Sequence, residues 1–369
     1  MLTTRTRLRL QCGGKLGDRT NDHHLTLTAK RAARAKQGKA QAMTTDRAWR
    51  PQDPAQAFFP VEMRPVFMPA SDGLDQYQQL KRHFAVVDVK RQHPFAVVTD
   101  DYELVTNKAA YDMAAEVMKK VFHTAQIGDM ECLNITMPKT RSFCHIDLIH
   151  KTADFSPWER DKWTAFLRIS NSYNRTRLLR FELGFCRWIC LNGIIFGSKS
   201  IEFSYAHTRR GMDRVDRFVE NIGDIRKLET ALTEKLHQLK RYHVPEKDML
   251  PLLCRAFDIK ATKDVVEKQR RVDDLLVLRD QAKRLTKAYF TELGPHGYAA
   301  LNVLTDYASR PEGVIAPEAS MHGLQQKAGS WMEDFVSAIK HSDFSFDRYL
   351  ADYRQTAEVI ETVVQNIGM

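Results

Sequence analysis

No C-x-x-C pair occurs in this chain, and its six cysteines (Cys12, Cys132, Cys144, Cys186, Cys190 and Cys254) are scattered. Isolated cysteines of this kind read as small apolar core residues kept reduced. They point to a cytoplasmic compartment and away from a disulfide framework. The phosphate-cradling loops G-x-G-x-x-G and G-x-x-x-x-G-K-[ST], the nucleophile elbow G-x-S-x-G and the zinc helix H-E-x-x-H are missing as well. Each absence removes one common enzyme class, although not catalysis as such. Long apolar runs are also lacking. The longest, Phe181–Phe196, is broken by Glu182, Arg187 and Asn192, short of the roughly 20 apolar residues that a membrane helix needs. No apolar stretch follows Arg5, Arg7 and Arg9, so neither an export signal nor a membrane partner is expected.

The composition that is present, 43% hydrophobic and 28% charged over 369 residues, is that of a folded protein with one large domain or two moderate ones. A net charge of +10 suggests nucleic acid until it is located. Residues 1–42 hold ten Lys and Arg against two acids, a balance of +8, which leaves about +2 for everything else. That tail has no sustained helical or strand period and reads as disordered, with Met43 offering an alternative start. The segment 43–90, with Pro51, Pro54, Pro60, Pro65 and Pro69, reads as an extended lead-in.

Alternation and turn signals predict a β-rich α+β core over 91–210. Short runs at 95–98 and 102–105 flank Asp100-Asp101 as a hairpin, and Asn107 caps a helix over 108–122. A second hairpin is expected over 131–137 and 142–149, and two more strands over 166–173 and 177–190. From Gly211 the period changes. Val215, Phe218, Ile222, Ile225, Leu228, Leu232, Leu236 and Leu239 recur every three or four residues, predicting a long amphipathic helix. Further helices are expected over 246–257, from 262 to before Gly294, over 324–340 and over 345–367. The fold class is therefore α+β, an antiparallel β-rich N-terminal and central part followed by a mostly helical C-terminal half, 211–369, packed on it. Charge divides likewise, +6 over 151–210 and −6 over 291–369.

Two constellations could carry chemistry. In Cys144-His145-Ile-Asp147-Leu-Ile-His150, a strand would put His145 and Asp147 on one face and His150 on the other. Two such residues could ligate a metal or act as an acid/base pair, with His207 as a distant fourth candidate. Spacing supplies no further ligands, so no metal or cofactor is assigned, and a polar strand face is the favoured alternative. Arg168, Arg175, Arg177, Arg180 and Arg187, interleaved with Tyr173, Phe181 and Trp188, suit phosphates and unpaired bases. The competing reading pairs these arginines with acids of the helical half. The stripe from 215 to 239 faces either the core or a second copy in a homo-oligomer.

The segments Asn171-Ser-Tyr173, Arg180-Phe181, Arg187-Trp-Ile-Cys190-Leu-Asn192 and His207-Thr208 resemble the phage/plasmid-like proteins of domain-of-unknown-function family 932. Val105-Thr-Asn107-Lys-Ala-Ala110 and Asn302-Val-Leu-Thr305-Asp-Tyr307 resemble further segments of that family, so the similarity spans roughly 90–335. Gly193 stands where the family's pattern has Thr. The resemblance implies a bacterial mobile-element setting and no particular chemistry.

Taken together, these features favour a non-enzymatic DNA-binding accessory protein of a mobile element. Its partner would be single-stranded DNA, bound or annealed through Arg168, Tyr173, Arg175, Arg177, Arg180 and Arg187. Two alternatives stay open: a metal-assisted nuclease or hydrolase using His145, Asp147, His150 or His207, and an assembly protein acting through the helical half.

Overall fold

The computed structural model describes residues 51–70, 73–122, 129–188, 193–195, 202–208, 225–261, 272–312 and 317–367. The calls on the basic tail and on Met43 lie outside the described residues. So do Cys190, Asn192 and the segment 211–224 of the expected helical half.

Strands β1 (Val61–Ala70), β2 (Gly73–Asp88) and β3 (His93–Thr99) form an antiparallel sheet in that order. The lead-in expected over 43–90 is therefore largely strand. Its prolines misled because Pro65 and Pro69 sit on β1, which is an edge, where a missing N–H breaks no ladder. The hairpin expected around Asp100-Asp101 is also different. β3 pairs back onto β2, while Tyr102 bridges to Thr208 instead.

Helix α1 (Asn107–Val121) follows. Its cap is Thr106, whose Oγ1 accepts from the Ala109 N–H at 3.1 Å, one residue before the Asn107 expected in that role. Asn107 is instead at the centre of a buried knot. Its N–H donates to Tyr173 Oη at 2.8 Å, its Nδ2 to the Ala57 carbonyl at 3.0 Å, and its Oδ1 accepts from Asn171 Nδ2 at 2.9 Å. Asn171 also donates to the Val105 carbonyl. Tyr173, fully buried, stacks on Phe95 at 5.3 Å and thereby fastens the first sheet to the second.

The second sheet runs β4 (Met130–Thr136), β5 (Phe143–Trp158), β6 (Asp161–Ser172), β7 (Leu179–Arg187), all antiparallel. The outer edge of β7 is shared by β9 (Glu202–Tyr205) along Leu179–Glu182 and by β8 (Gly193–Ile195) along Gly184–Cys186. One face is apolar: Cys144, Ile146, Leu148, Leu167, Ile169 and Phe181 join Ala110, Ala114 and Met118 of α1 in the main core.

The helical half comprises α2 (Ile225–Arg241), α3 (Met249–Phe257), α4 (Val272–Leu293), α5 (Gly297–Ser309), α6 (Pro317–Ala338) and α7 (Phe346–Ile367). An α+β fold, strands first and helices after, is thus present. In α2 the stripe residues Leu232, Leu236 and Leu239 are buried in the same core, so this described part of the stripe offers no seam to a second copy. Helix α5 was not foreseen because every residue from Gly297 to Ala308 is buried, leaving no polar face to reveal a 3.6-residue period. Among the described residues, no helix is long and apolar enough to cross a membrane.

Two glycines of α6 make a direct test of its seating. A Cβ at Gly329 would lie 2.0 Å from the Ile195 carbonyl oxygen, whereas one at Gly323 would meet nothing within 4 Å. Gly329→Ala should destabilise by about 1–3 kcal/mol through overpacking, while Gly323→Ala should be neutral or stabilise by up to about 1 kcal/mol through helix propensity. Paired denaturant unfolding curves that shifted equally would contradict this docking.

Candidate anion-binding cleft between the second sheet and helix α6

Opposite the apolar face, the second sheet presents polar rows. Cross-strand partners share a face, and the register aligns Asn134, Asp147, Arg168 and Glu182 across β4 to β7. The next row aligns Thr136, His145, Ser170 and Arg180. Such a face needs a polar cover, and α6 supplies it. Its residues His322, Gln325, Gln326 and Gly329 follow the i, i+3, i+4, i+7 spacing of one helix face.

Arg168 is about 1% exposed and lies in the middle of this layer. Its Nε and Nη2 each donate to one oxygen of Asp147 at 2.7 Å, and its Nη1 donates to Gln325 Oε1 at 2.5 Å. Burial opposes the guanidinium charge, but the charge and hydrogen bonds of Asp147 outweigh it, so the pKa is raised. Gln326 Nε2 donates to Glu182 Oε1 at 3.0 Å, and Gln325 Nε2 to Ser309 Oγ at 3.1 Å.

His145 and His322 stack face to face, with centroids 5.5 Å apart and planes 9° apart. His145 Nδ1 lies 2.7 Å from Ser170 Oγ, and its Nε2 has no hydrogen-bond partner among the described residues. Burial pushes the pKa of His145 well below 6.5, and the neighbouring Arg168, His322, Arg177 and Arg180 push the same way. For His322 burial again leads, and Arg168, Arg180 and Arg177 add to it, lowering its pKa to about 3. Glu182 Oε2 stands 3.4 Å from His322 Nδ1, which would be an ion pair only with a protonated ring. With burial and three guanidinium groups acting together, the ring is neutral and the approach is a polar contact.

In front of this layer opens a cleft of about 550 Å³, with Phe143, Ser170 and His322 among its buried residues and Thr176, Arg177 and Arg180 nearer solvent. Arg177 lays its guanidinium over the Phe143 ring at 4.5 Å. Burial and the proximity of Arg180 lower the Arg177 pKa, which marks two like charges held together. The turn that carries Arg177 is clamped by Ser172. Its Oγ donates to the Arg177 carbonyl at 2.9 Å and accepts from the Arg177 N–H at 3.1 Å. Within that turn Arg175 is exposed and adopts φ 62°. A second cleft of about 300 Å³ reaches the other end of the same layer at Asp147, Arg168, Gln325 and Arg310.

The structure thus divides the arginines expected to form one surface. Arg175, Arg177 and Arg180 lie at or beside the cleft. Arg168 and Tyr173 are interior, engaged as described. Arg187 is about 3% exposed, with Nε 2.8 Å from Asp161 Oδ1 and Nη2 3.2 Å from Glu292 Oε1. Its Nη1 also approaches Asn302 Oδ1 at 3.4 Å, and Tyr298 Oη donates to Asp161 Oδ2 at 2.6 Å. These three residues hold the fold together and offer no surface to a strand, because each has its polar groups turned onto partners inside.

The histidine and aspartate candidates are also separated. His145 and Asp147 share a face, as expected, but Asp147 is engaged by Arg168. His150 rests against Phe122, whose ring centroid is 5.2 Å away. His207 stacks on Tyr102 at 5.3 Å beside the Tyr102–Thr208 bridge, with burial lowering its pKa. Among the described residues no group of three or more His, Cys, Asp or Glu is arranged to hold a metal ion. Reading the sequence missed Phe143, Ser170, His322, Gln325 and Gln326. The available signal was the polar stripe of α6, which a search for apolar stripes passes over.

Two measurements test this layer. Asp147→Ala strands the buried Arg168 charge and should cost about 3–5 kcal/mol in denaturant unfolding, whereas Asp147→Leu combined with Arg168→Met should recover most of it. The histidines set a pH dependence. The unfolded chain takes up protons near pH 6.5, while folded His145, His207 and His322 do so only lower, so stability is complete above that value and is lost as pH falls below it. Thermal stability should therefore fall on acidification, with a limiting slope of about 1.4 kcal/mol per pH unit for each histidine. His145→Gln with His322→Gln should flatten that slope, and an unchanged slope would contradict neutral buried rings.

Comparison with curated proteins yields no match, and neither does comparison with solved structures. The family model described as "Domain of unknown function (DUF932)" matches residues 94–327, a span that begins in β3 and ends within α6. The knot at Asn107, Asn171 and Tyr173, both polar rows and the cleft with the first half of its cover helix fall inside it, and the chain is therefore a member of the DUF932 family.

Proposed function

We propose that the protein binds single-stranded nucleic acid through the cleft beside α6, with Arg177 and Arg180 on phosphate. The observation that carries this reading is the pair of like-charged guanidinium groups held together at the mouth of a cleft floored by Ser170 and His322. Glu182, 3.8 Å from Arg180 Nη1, offsets part of the repulsion between them, and a phosphate accepts forked guanidinium hydrogen bonds. A volume of about 550 Å³ falls within the roughly 300–1,000 Å³ typical of small-ligand sites, the size of a nucleotide and not of a duplex. Exposed Arg175, on the same turn, extends the positive surface along the path of a strand.

The family resemblance implies a mobile-element setting, DNA is the substrate we infer from it, and the cytoplasm is the compartment we infer. Cys132, Cys144 and Cys254 are free and buried, and burial raises the pKa of each to about 12, as suits inert core thiols. A hydrolase is the second reading, favoured by the 2.7 Å contact of Ser170 with His145. Against it, His145 is a poor base in this setting, since burial and neighbouring cations suppress its protonation.

Fluorescence anisotropy of the full chain with labelled single-stranded DNA across a salt series tests the binding reading. Arg177→Ala with Arg180→Ala should weaken binding by about tenfold or more. The same pair should reduce the log–log salt slope by roughly 0.7 for each phosphate contact removed. Unchanged affinity and slope in the double variant would place any contact elsewhere. Release of nucleotides from the same DNA in Mg²⁺ or Mn²⁺, lost on Ser170→Ala, would favour the hydrolase.

A further inference from the structure

We infer that the cleft is an end-binding pocket, in which the phosphate monoester at a strand terminus is seated against Ser170, Arg177, Arg180 and His322. This deepens the strand-binding reading and rests on it.

The argument begins with depth. Ser170 and His322 are about 3% and 7% exposed, yet both line the cleft, so its floor lies well beneath its rim. An internal phosphodiester continues as chain on both sides and is most easily met by groups at a rim. A terminal phosphate has chain on one side only and can be lowered to a floor. The floor also matches the terminal group in charge. A monoester carries about −1.5 to −2 at neutral pH and three acceptor oxygens, against −1 and two non-bridging oxygens for a diester. Around the pocket stand Arg177 and Arg180, the latter with Nη1 3.8 Å from Glu182 Oε1, and behind the floor Arg168 with its Asp147 partner; the Ser170 hydroxyl and the His322 ring are further polar groups.

The histidine pair adds a second, independent observation. His145 Nε2 and His322 Nδ1 are buried without a hydrogen-bond partner among the described residues, an arrangement that costs free energy and calls for an explanation. Burial keeps both rings neutral, and the arginines of the pocket add to it. An arriving dianion offsets those positive charges and lets His322, with Glu182 already 3.4 Å from its Nδ1, take up a proton. A charged ring would then form an ion pair with Glu182 behind while the phosphate is held in front. A diester with half the charge drives this less.

The experiment compares strands of one sequence that differ only at the end: 5′-phosphate, 3′-phosphate and hydroxyl at both ends. Each is titrated with the full chain, alongside a nucleoside 5′-monophosphate and inorganic phosphate as competitors. The expected result is at least about tenfold tighter binding of one phosphorylated strand. Inorganic phosphate should erase that preference, and it should shrink in Ser170→Ala and in His322→Gln, each first shown to unfold cooperatively. Equal affinity for all three strands would overturn the end-binding pocket and leave strand binding standing. No binding of any strand would overturn strand binding itself. If only the free monophosphate bound, the occupant would be a nucleotide and both strand readings would fall.

Discussion

A guanidinium group sealed inside a β-sheet sets the terms for the rest of this molecule. Removing Arg168 from water costs several kcal/mol on general grounds, and only a partner of matched geometry offsets it. Asp147 provides two parallel hydrogen bonds from the next strand, and Gln325 fills the remaining direction from α6. Because the pair spans β5 and β6 and is closed by α6, strand register and helix position are fixed together. A one-residue slip of either strand would turn one charge toward the apolar face lined by Ile146, Leu148 and Ile169. The sheet thus has one face that specifies by hydrophobic packing and one that specifies by polar pairing.

The order of strands and helices was legible because it depends on local period. β4 to β7, the inward stripe of α2 and the last two helices all appear where alternation or 3.6-residue spacing placed them. Elements without a period were missed: α5 is buried all round, and β1 is a proline-bearing edge. The candidate site was harder for another reason. Arginines on strands look alike in sequence, and whether each meets a carboxylate or solvent depends on pairings made 21 to 157 residues away. Arg168 meets Asp147 and Gln325, Arg187 meets Asp161 and Glu292, and Arg177 meets Phe143, all through tertiary structure.

The segments that resemble the family pattern take on physical meaning in the structure. Val105 to Ala110, Asn171 to Tyr173 and His207-Thr208 come together at one junction, where asparagine side chains satisfy backbone groups between the two sheets. Arg187 and Asn302 meet at a second, joining β7 to α5. These positions are framework; between them Ser170 and Arg180 pair across β6 and β7, with Arg177 on the connecting turn and His322 on α6.

The clamp of Ser172 on Arg177 has a consequence for the kinetics of any encounter. Closing that turn, with Arg175 held at φ 62°, fixes backbone freedom during folding. A ligand reaching the cleft then has no loop left to order, so its binding forfeits only side-chain and rigid-body entropy. Discrimination between ligands on such a preorganised surface is expressed in how long each one stays, with similar rates of arrival.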